Sequence, residues 1–243
     1  MDHITFGNRR ITYTIKRGNR KKTLAINVTS ASQIIVLAPG HLSREKIRTF
    51  VEKKARWIMA KQEHFKRLAV LFPEREFVSG EQILLLGRRY RLKIVEEGNS
   101  RVPKLSGRRI FVSVDRNLDS NERKEIIKDV LKKWYIAKAS KIVKQRVNRY
   151  CKLMDLFPKE IIIKDQKKRW ASCSKDGTLR FNWRISMAPI SIVDYIVVHE
   201  LCHLKVKSHS SDFWKLVSIT LPDYQKRRDW LKNNIGIFRF TSK

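Results

Sequence analysis

The feature that most constrains the fold is a set of histidines and one glutamate near the carboxyl end of the printed sequence. His199, Glu200 and His203 stand in the order His-Glu-x-x-His, and His209 follows His203 after six residues. Two histidines four residues apart project from the same face of a helix, close enough to bind one ion. The pattern therefore predicts a helix that carries two metal ligands, with Glu200 beside the ion and not bound to it.

The residues before His199 predict that this helix is buried. Pro189 and Ser191 indicate its start, and Asp194 stands three residues on, where a capping carboxylate is expected. Residues 192–198 are apolar nearly all round, so the histidines would emerge from a packed core, where an imidazole needs a partner. A pair of hydrogen-bonded core histidines is the alternative, and it leaves the spacing of Glu200 and His209 unexplained.

The chemistry of this spacing is that of a zinc site. Neutral imidazoles bind Zn²⁺ and leave one position for water, whose pKa falls from 15.7 towards ~7 when zinc binds it. A carboxylate placed like that of Glu200 can then take the proton from the water. His209 is the expected third ligand, and the alternative is that it is an exposed loop histidine.

Several other segments accompany the histidines in an order that resembles one family. The carboxyl-terminal ones are Trp170-Ala-Ser-Cys-Ser174, Leu179-Arg-Phe-Asn-Trp183, Asp194-Tyr-Ile-Val-Val-His-Glu-Leu-Cys-His203, His209-Ser210, Phe213-Trp214 and Pro222-Asp223. The amino-terminal ones are Arg20-Lys-Lys22, Ala38-Pro39, Trp57-Ile58, Gly80-Glu81 and Leu86-Gly-Arg-Arg-Tyr90. Together they resemble the YgjP-like metal-dependent hydrolases, relatives of the SprT and Spartan metalloproteases. The resemblance implies that His199, His203 and His209 bind zinc and that Glu200 is the catalytic base.

Two rival functions remain open at this point. In the first, the chain is a nucleic-acid-binding protein whose zinc is structural, with Cys173 closing the site as a fourth ligand. In the second, the chain is a metal-dependent hydrolase of amides other than peptides. The hypothesis that we favour is a zinc metallopeptidase that acts on a protein or peptide substrate, near or on protein associated with nucleic acid.

The net charge indicates an anionic partner. The chain has 54 Lys and Arg against 23 Asp and Glu, a formal charge of +31. Such an excess favours nucleic acid, because basic side chains release the counterions condensed on phosphates. Arg17, Arg20, Lys21 and Lys22 lie in a predicted hairpin loop and are the candidate contacts, and a solvated turn is the alternative for this loop. The alternative is a proteome whose proteins are all basic.

Cysteine usage and hydropathy bear on the compartment. The chain has only three cysteines, which are too few for a disulfide framework and favour a reducing compartment. The first residues lack the apolar core of a signal peptide, and no apolar stretch is long enough to span a membrane. These observations predict a cytoplasmic protein with no membrane partner.

Hydrophobic periodicity predicts an α+β fold in two domains. Residues 1–118 are expected to form a basic, β-rich domain with one long helix from Ser43 to about Ala69. A second long helix is expected over residues 120–153 and a half-buried strand over residues 178–186. In zincin-type proteases such a helix lies against the metal-binding helix, so the resemblance implies a zincin-like domain over residues 119–243. If that strand lies at the sheet edge, Asn182 or Arg184 would face the substrate. A solvated strand face is the alternative.

Overall fold

The computed structural model describes residues 1–18, 23–29, 32–71, 75–96, 102–166, 169–238 and 240. Within these ranges the chain forms six α-helices and three small β-sheets, which confirms the predicted mixed α+β class. Contacts between Cα atoms divide it into two compact units. The first unit comprises Met1–Glu74 and Arg239–Lys243, and the second comprises Arg75–Phe238.

The first unit is a four-stranded sheet covered by two helices. Its strands are β1 (Asp2–Phe6), β2 (Arg9–Gly18), β3 (Ala25–Val28) and β4 (Ile34–Pro39), in the order β1-β2-β4-β3. Its helices are α1 (Arg44–Lys53) and α2 (Ala55–Leu71). Alternate residues of the strands and one face of the helices form the core, which includes Ile4, Tyr13, Val36, Ile47, Val51 and Ile58.

Two sequence-based expectations for this unit were wrong. The helix predicted to continue from Ser43 to about Ala69 is interrupted at Lys54, which caps α1 by donating to the carbonyls of Glu52 and Val51. The spacing of apolar residues does not reveal the break at Lys54, because Val51 before it and Ala55 after it are both fully buried. β2 and β3 do not form a hairpin either, since both pair with β4 and not with each other.

The second unit begins with a sheet that repeats the pairing order of the first. Its strands are β5 (Gln82–Leu85), β6 (Arg88–Val95), β7 (Lys104–Ser106) and β8 (Arg109–Ser113), in the order β5-β6-β8-β7. In both sheets the central pair is parallel and the outer pairs are antiparallel. The hydrophobic periodicity of single strands does not reveal this repeat, because the two sheets share an order of strand pairing and not a sequence pattern.

The rest of the second unit contains four helices and a three-stranded sheet. Its elements are α3 (Ser120–Met154), β9 (Glu160–Lys164), β10 (Ala171–Cys173), β11 (Thr178–Asn182), α4 (Ile190–Lys205), α5 (Ser211–Thr220) and α6 (Tyr224–Asn233). A 3-10 helix (Trp183–Met187) lies between β11 and α4. The predicted second long helix is confirmed as α3, which begins with a capping box between Asp119 and Glu122.

The turn between β5 and β6 joins its sheet to the start of α4. The backbone N–H groups of Leu86 and Gly87 donate to the carbonyls of Ser186 and Met187, at 2.8 and 3.0 Å. Gly87 has φ +76°, and a Cβ there would lie 2.8 Å from Cγ of Pro189. A side chain at position 87 would therefore push the turn away from the helix.

These contacts place the second sheet in the same compact unit as α4. The division of the chain predicted at residues 118 and 119 falls between β8 and α3, inside that unit, whereas the boundary between the compact units falls at residue 74. The connection between β8 and α3 is short, and the hydrogen bonds of Leu86 and Gly87 link sheet and helix across it. Folding of residues 119–243 as a separate domain stays a prediction.

The strand predicted over residues 178–186 is shorter and differently placed. β11 ends at Asn182, whose side chain caps the 3-10 helix by accepting from the N–H of Arg184. β11 is also the central strand, paired with β10 on one side and with β9 on the other. The edge strand next to α4 is β10, so the expectation that Asn182 and Arg184 lie at a free edge was wrong.

Helix α4 begins without a side-chain cap, since Pro189 occupies the N-cap position. Asp194, which the sequence predicted as the capping carboxylate, instead binds Arg146 of α3. Within the described ranges, no helix is both long and apolar enough to cross a membrane.

Candidate metal centre

Three histidine side chains converge at the end of α4. His199, His203 and His209 each offer one nitrogen, and these atoms all lie within 4.8 Å of one another. Nε2 of His199 and Nε2 of His209 are 3.0 Å apart. Two imidazole nitrogens that bind one tetrahedral zinc ion at 2.0–2.1 Å stand about 3.3 Å apart, so the arrangement fits a shared ion of that size.

The loop between His203 and His209 orients the second ligand. Val206 is extended and ends α4, with its N–H donating to the carbonyl of Cys202. Its own carbonyl oxygen lies 3.0 Å from Nδ1 of His203. Donation from Nδ1 leaves the lone pair on Nε2, which is the usual way that a backbone carbonyl fixes a metal-binding imidazole. The chain makes this turn without the glycine that longer metalloprotease patterns place there.

Aromatic rings of α5 support the three imidazoles. Phe213 is fully buried, with its ring centroid 4.5 Å from that of His203 and 4.9 Å from those of His199 and His209. The indole of Trp214 is stacked on His209 at 5.7 Å and 25°. The sequence predicted that these rings point inward, but not that they contact the histidines. The signal for these contacts in the sequence was that both aromatic residues follow His209 closely, at four and five positions.

Burial keeps the imidazoles in the neutral form that binds metals. It lowers the pKa of His199 to about 3, and the neighbouring His203, His209 and Arg228 act in the same direction. Burial also lowers the pKa of His203, against the opposing effect of the Val206 carbonyl. At neutral pH both rings therefore carry a free lone pair without first losing a proton.

Glu200 lies next to the histidines on the inner side of α4. Its side chain is 6% exposed, and burial raises its pKa to about 7, against the effects of the Arg169 guanidinium and a hydrogen bond from the N–H of Cys173. Its Oε2 and Nδ1 of His199 are buried and have no hydrogen-bond partner among the described residues. A carboxylate with a pKa near 7 and a free oxygen is suited to accept a proton.

Neither nearby cysteine belongs to the histidine cluster. Cys173 in β10 is half-buried, and its thiol donates to the carbonyl of Ser174 at 3.4 Å. Cys202 is fully buried, and burial raises the pKa of its thiol to about 12. Among the residues that the structure describes, the three histidines form the group without an additional thiol or carboxylate ligand.

Asn182 and Arg184, predicted to face a substrate, have internal partners instead. Asn182 is 3% exposed, and its amide nitrogen donates to the carbonyls of Gln166 and Arg169. Arg184 binds Asp165, and its guanidinium lies 4.3 Å from the ring centroid of Trp183. Both side chains stabilise the loop between β9 and β10.

Of the four residues predicted to contact nucleic acid, the structure describes one. Arg17 lies in β2, and its guanidinium donates to the carbonyls of Pro39, Gly40 and Leu42. It therefore holds the turn between β4 and α1. Arg20, Lys21 and Lys22 lie outside the described residues.

Comparison with known proteins points to one family. A family model described as the YgjP-like metallopeptidase domain matches residues 22–234. The chain is similar to the metallopeptidase zymogen of Pyrococcus abyssi abylysin, with 24% identity and a TM-score of 0.36, over 38% of this chain and 94% of that one. It is similar to the zymogen of Methanocaldococcus jannaschii jannalysin, with 24% identity and a TM-score of 0.34, over 38% and 96%. No curated protein matches the chain.

Proposed function

The chain belongs to the YgjP-like metallopeptidase family, and on that premise we propose that it is a zinc peptidase that uses His199, His203 and His209 as metal ligands and Glu200 as general base. Membership of the family makes the chain an enzyme, a metal-dependent hydrolase whose substrates are proteins or peptides. The identity of the metal and the roles of the four residues are the part that we propose.

The observation that carries the proposal is the convergence of three imidazoles beside a buried carboxylate. A donor set of nitrogen atoms favours zinc over magnesium or calcium, which prefer oxygen ligands. Among the described residues the ligand group consists of three histidines and no thiol, which leaves a fourth position for water or substrate, as is typical of catalytic zinc. A structural site would use four protein ligands.

The mechanism assigns the proton transfers to Glu200. Zinc, when bound by the three histidines, supplies a Lewis acid that polarises the scissile carbonyl and acidifies the attacking water. The Glu200 carboxylate accepts the proton of that water and returns it to the leaving amine. The N–H of Cys173 donates to the carboxylate and orients it. Nδ1 of His203 donates to the Val206 carbonyl and keeps its imidazole in position.

The edge strand β10 is the expected docking site for the substrate backbone. It packs against α4, and among the described residues β11 is its one paired neighbour. An extended peptide can add to such an edge by main-chain hydrogen bonds. This proposal replaces the one made for Asn182 and Arg184, because β10 and not β11 is the edge.

Glu200→Gln separates this enzyme from both rivals. Glutamine keeps the shape of the side chain but accepts no proton, so the metal should stay while cleavage of an unstructured protein falls by ~10²–10⁴. Glu160→Gln, which removes an exposed carboxylate from β9, is the matched control and should leave turnover unchanged. Equal cleavage by Glu200→Gln and wild type would contradict the proposal.

The outcome also distinguishes the rivals. A protein whose zinc is structural would show no hydrolysis and no open coordination position. A hydrolase of other amides would lose activity on small amide substrates with Glu200→Gln but would not cleave protein. Metal content, measured by mass spectrometry at equal protein concentration, must be reported with each rate.

Nucleic-acid binding is a second candidate function, and the net charge of +31 is the observation that favours it. The comparisons lend it no support, and the guanidinium of Arg17 donates to the backbone carbonyls of Gly40 and Leu42. A filter-binding titration is the test. Binding that is sequence-tolerant and weakens steeply as salt rises is expected, and no association at low salt would remove this candidate.

A further inference from the structure

We propose that the metal centre selects acidic peptides, through three cationic side chains, Arg169, Lys207 and Arg228, that adjoin it and form no ion pair within the described residues. The inference rests on the proposed peptidase function and names the substrate class of the same site. All three residues belong to the second compact unit. They come from three separate segments, the one before β10, the loop between the histidine ligands, and α6.

Arg228 is held beside the third ligand. Its Cζ lies 4.9 Å from the centroid of the Trp214 ring, and that ring is in turn 5.7 Å from the ring of His209 and 5.9 Å from that of His199. A guanidinium on the face of an indole is fixed by a cation–π interaction and still has its N–H donors available. Arg228 is exposed, so these donors are open to a ligand.

Arg169 approaches the site from the side of Glu200. It is two residues before β10, and its carbonyl accepts a hydrogen bond from the buried amide of Asn182, at 3.1 Å. That contact fixes the backbone at the point where an added peptide would meet the edge strand. The side chain is exposed, and β10, which begins two residues later, packs against α4, the helix that carries Glu200.

Lys207 stands in the loop that connects the second and third ligands. It is exposed, and it follows Val206, whose carbonyl fixes the ring of His203. It is also two residues before His209, so its backbone lies in the short segment that joins two of the proposed ligands. A lysine there can reach a carboxylate of a peptide that lies along β10.

The acids nearby do not neutralise these cations. None of the ion pairs within the described ranges includes Arg169, Lys207 or Arg228. The acids of the adjoining elements have other partners: Asp212 pairs with Lys215, Asp223 with Arg227, and Asp176 with Lys159. Asp229 and Glu200 remain, and neither belongs to any of those ion pairs. Glu200 is also buried.

Unpaired cations from different sides of a site favour substrates with acidic residues near the scissile bond. A basic residue at those positions would face like charges, which weakens its binding. Each exposed charge pair changes affinity by roughly twofold to fivefold, so three such pairs can separate acidic from neutral peptides by more than tenfold.

The test compares matched fluorogenic peptides, one with Asp and Glu on both sides of the cleaved bond and one with Asn and Gln in their place. We expect wild type to favour the acidic peptide by about tenfold in kcat/KM. Arg169→Gln, Lys207→Gln and Arg228→Gln should each reduce the ratio by roughly twofold to fivefold, and Arg228→Lys should largely retain it. Lys226→Gln is the control, because this exposed residue of α6 projects from a different face of the helix.

A binding measurement separates this inference from the proposed function. Fluorescence anisotropy of the same peptides with zinc-loaded Glu200→Gln reports selection without turnover, and the acidic peptide should bind more tightly. Equal affinity for the two peptides would overturn the inference even if the wild type cleaves both. A short oligonucleotide that displaces the acidic peptide at lower concentration than unlabelled acidic peptide would also overturn it, since the cations would then serve nucleic acid.

Discussion

The guanidinium of Arg146 forms a two-point ion pair with the carboxylate of Asp194, with Nε to Oδ1 at 2.5 Å and Nη2 to Oδ2 at 2.8 Å. Both side chains are mostly buried, with 14% and 9% exposed. The pair joins α3 to α4 five residues before His199. It thus fixes the metal-binding helix against the longest helix of the chain.

Replacing Arg146 with methionine should destabilise the protein by roughly 3–5 kcal/mol, because it leaves the carboxylate of Asp194 buried without its partner. Urea unfolding measures the change. Lys144→Met, on an exposed position of the same helix, should have little effect. A double variant, Arg146→Met with Asp194→Leu, should recover part of the loss, and a double variant less stable than Arg146→Met would contradict this explanation.

Replacing His209 with alanine should lower zinc affinity by more than about 100-fold, because two imidazoles of one helix then remain as the ligands proposed here. Competition with a chromogenic chelator gives the affinity. His41→Ala, which removes an exposed histidine of the first compact unit, is the control. Full zinc content and activity in His209→Ala would place the third ligand elsewhere, and Cys173 would be the next residue to test.

Trp214 is expected to affect the metal site without touching a metal. Trp214→Ala removes the ring stacked on His209 and should reduce zinc affinity by roughly 10- to 100-fold, as is usual when an outer partner of a ligand is lost. Trp214→Phe should retain most of the affinity. Trp230→Ala removes an indole that packs on Phe238 instead, so zinc binding unchanged relative to wild type is expected there.

Asp176 predicts a pH dependence of stability. Hydrogen bonds from the hydroxyl of Ser174 and from the N–H and hydroxyl of Thr178 lower the pKa of Asp176 to about 2. Because the folded-state pKa lies below the unfolded value of 3.8, the stabilisation is complete above about pH 4 and is lost as the pH falls towards 2. The difference in urea midpoint between wild type and Asp176→Asn should therefore shrink over that interval, and a constant difference would contradict the assignment.

The local features of the site could be predicted from the sequence, and the partners of its residues could not. The spacing of His199 and His203 on a buried helix depends on positions four apart, which periodicity reports directly. Asp194 was expected to cap that helix, but its partner Arg146 is 48 residues away in the chain. A capping pattern cannot reveal a contact at that distance.

The position of β11 shows the same limit. The alternation of Leu179, Phe181 and Trp183 predicted a strand, and the first part of it is one. Its parallel pairing with β9 makes it central, and no local pattern reports which strands pair. Asn182 then ends it early, because an asparagine side chain competes with the strand by capping the turn that follows.

The close approach of Gly87 to Pro189 limits where the chain can be truncated without loss of the catalytic site. A fragment that starts at residue 119 keeps every proposed ligand and the base, yet it loses the two N–H donors that Leu86 and Gly87 give to the carbonyls of Ser186 and Met187. Those acceptors directly precede α4, and buried acceptors without donors cost about 1–3 kcal/mol each. We therefore expect the shortest stable metallopeptidase fragment of this chain to begin upstream of β5, so a minimal enzyme should be cut near residue 75.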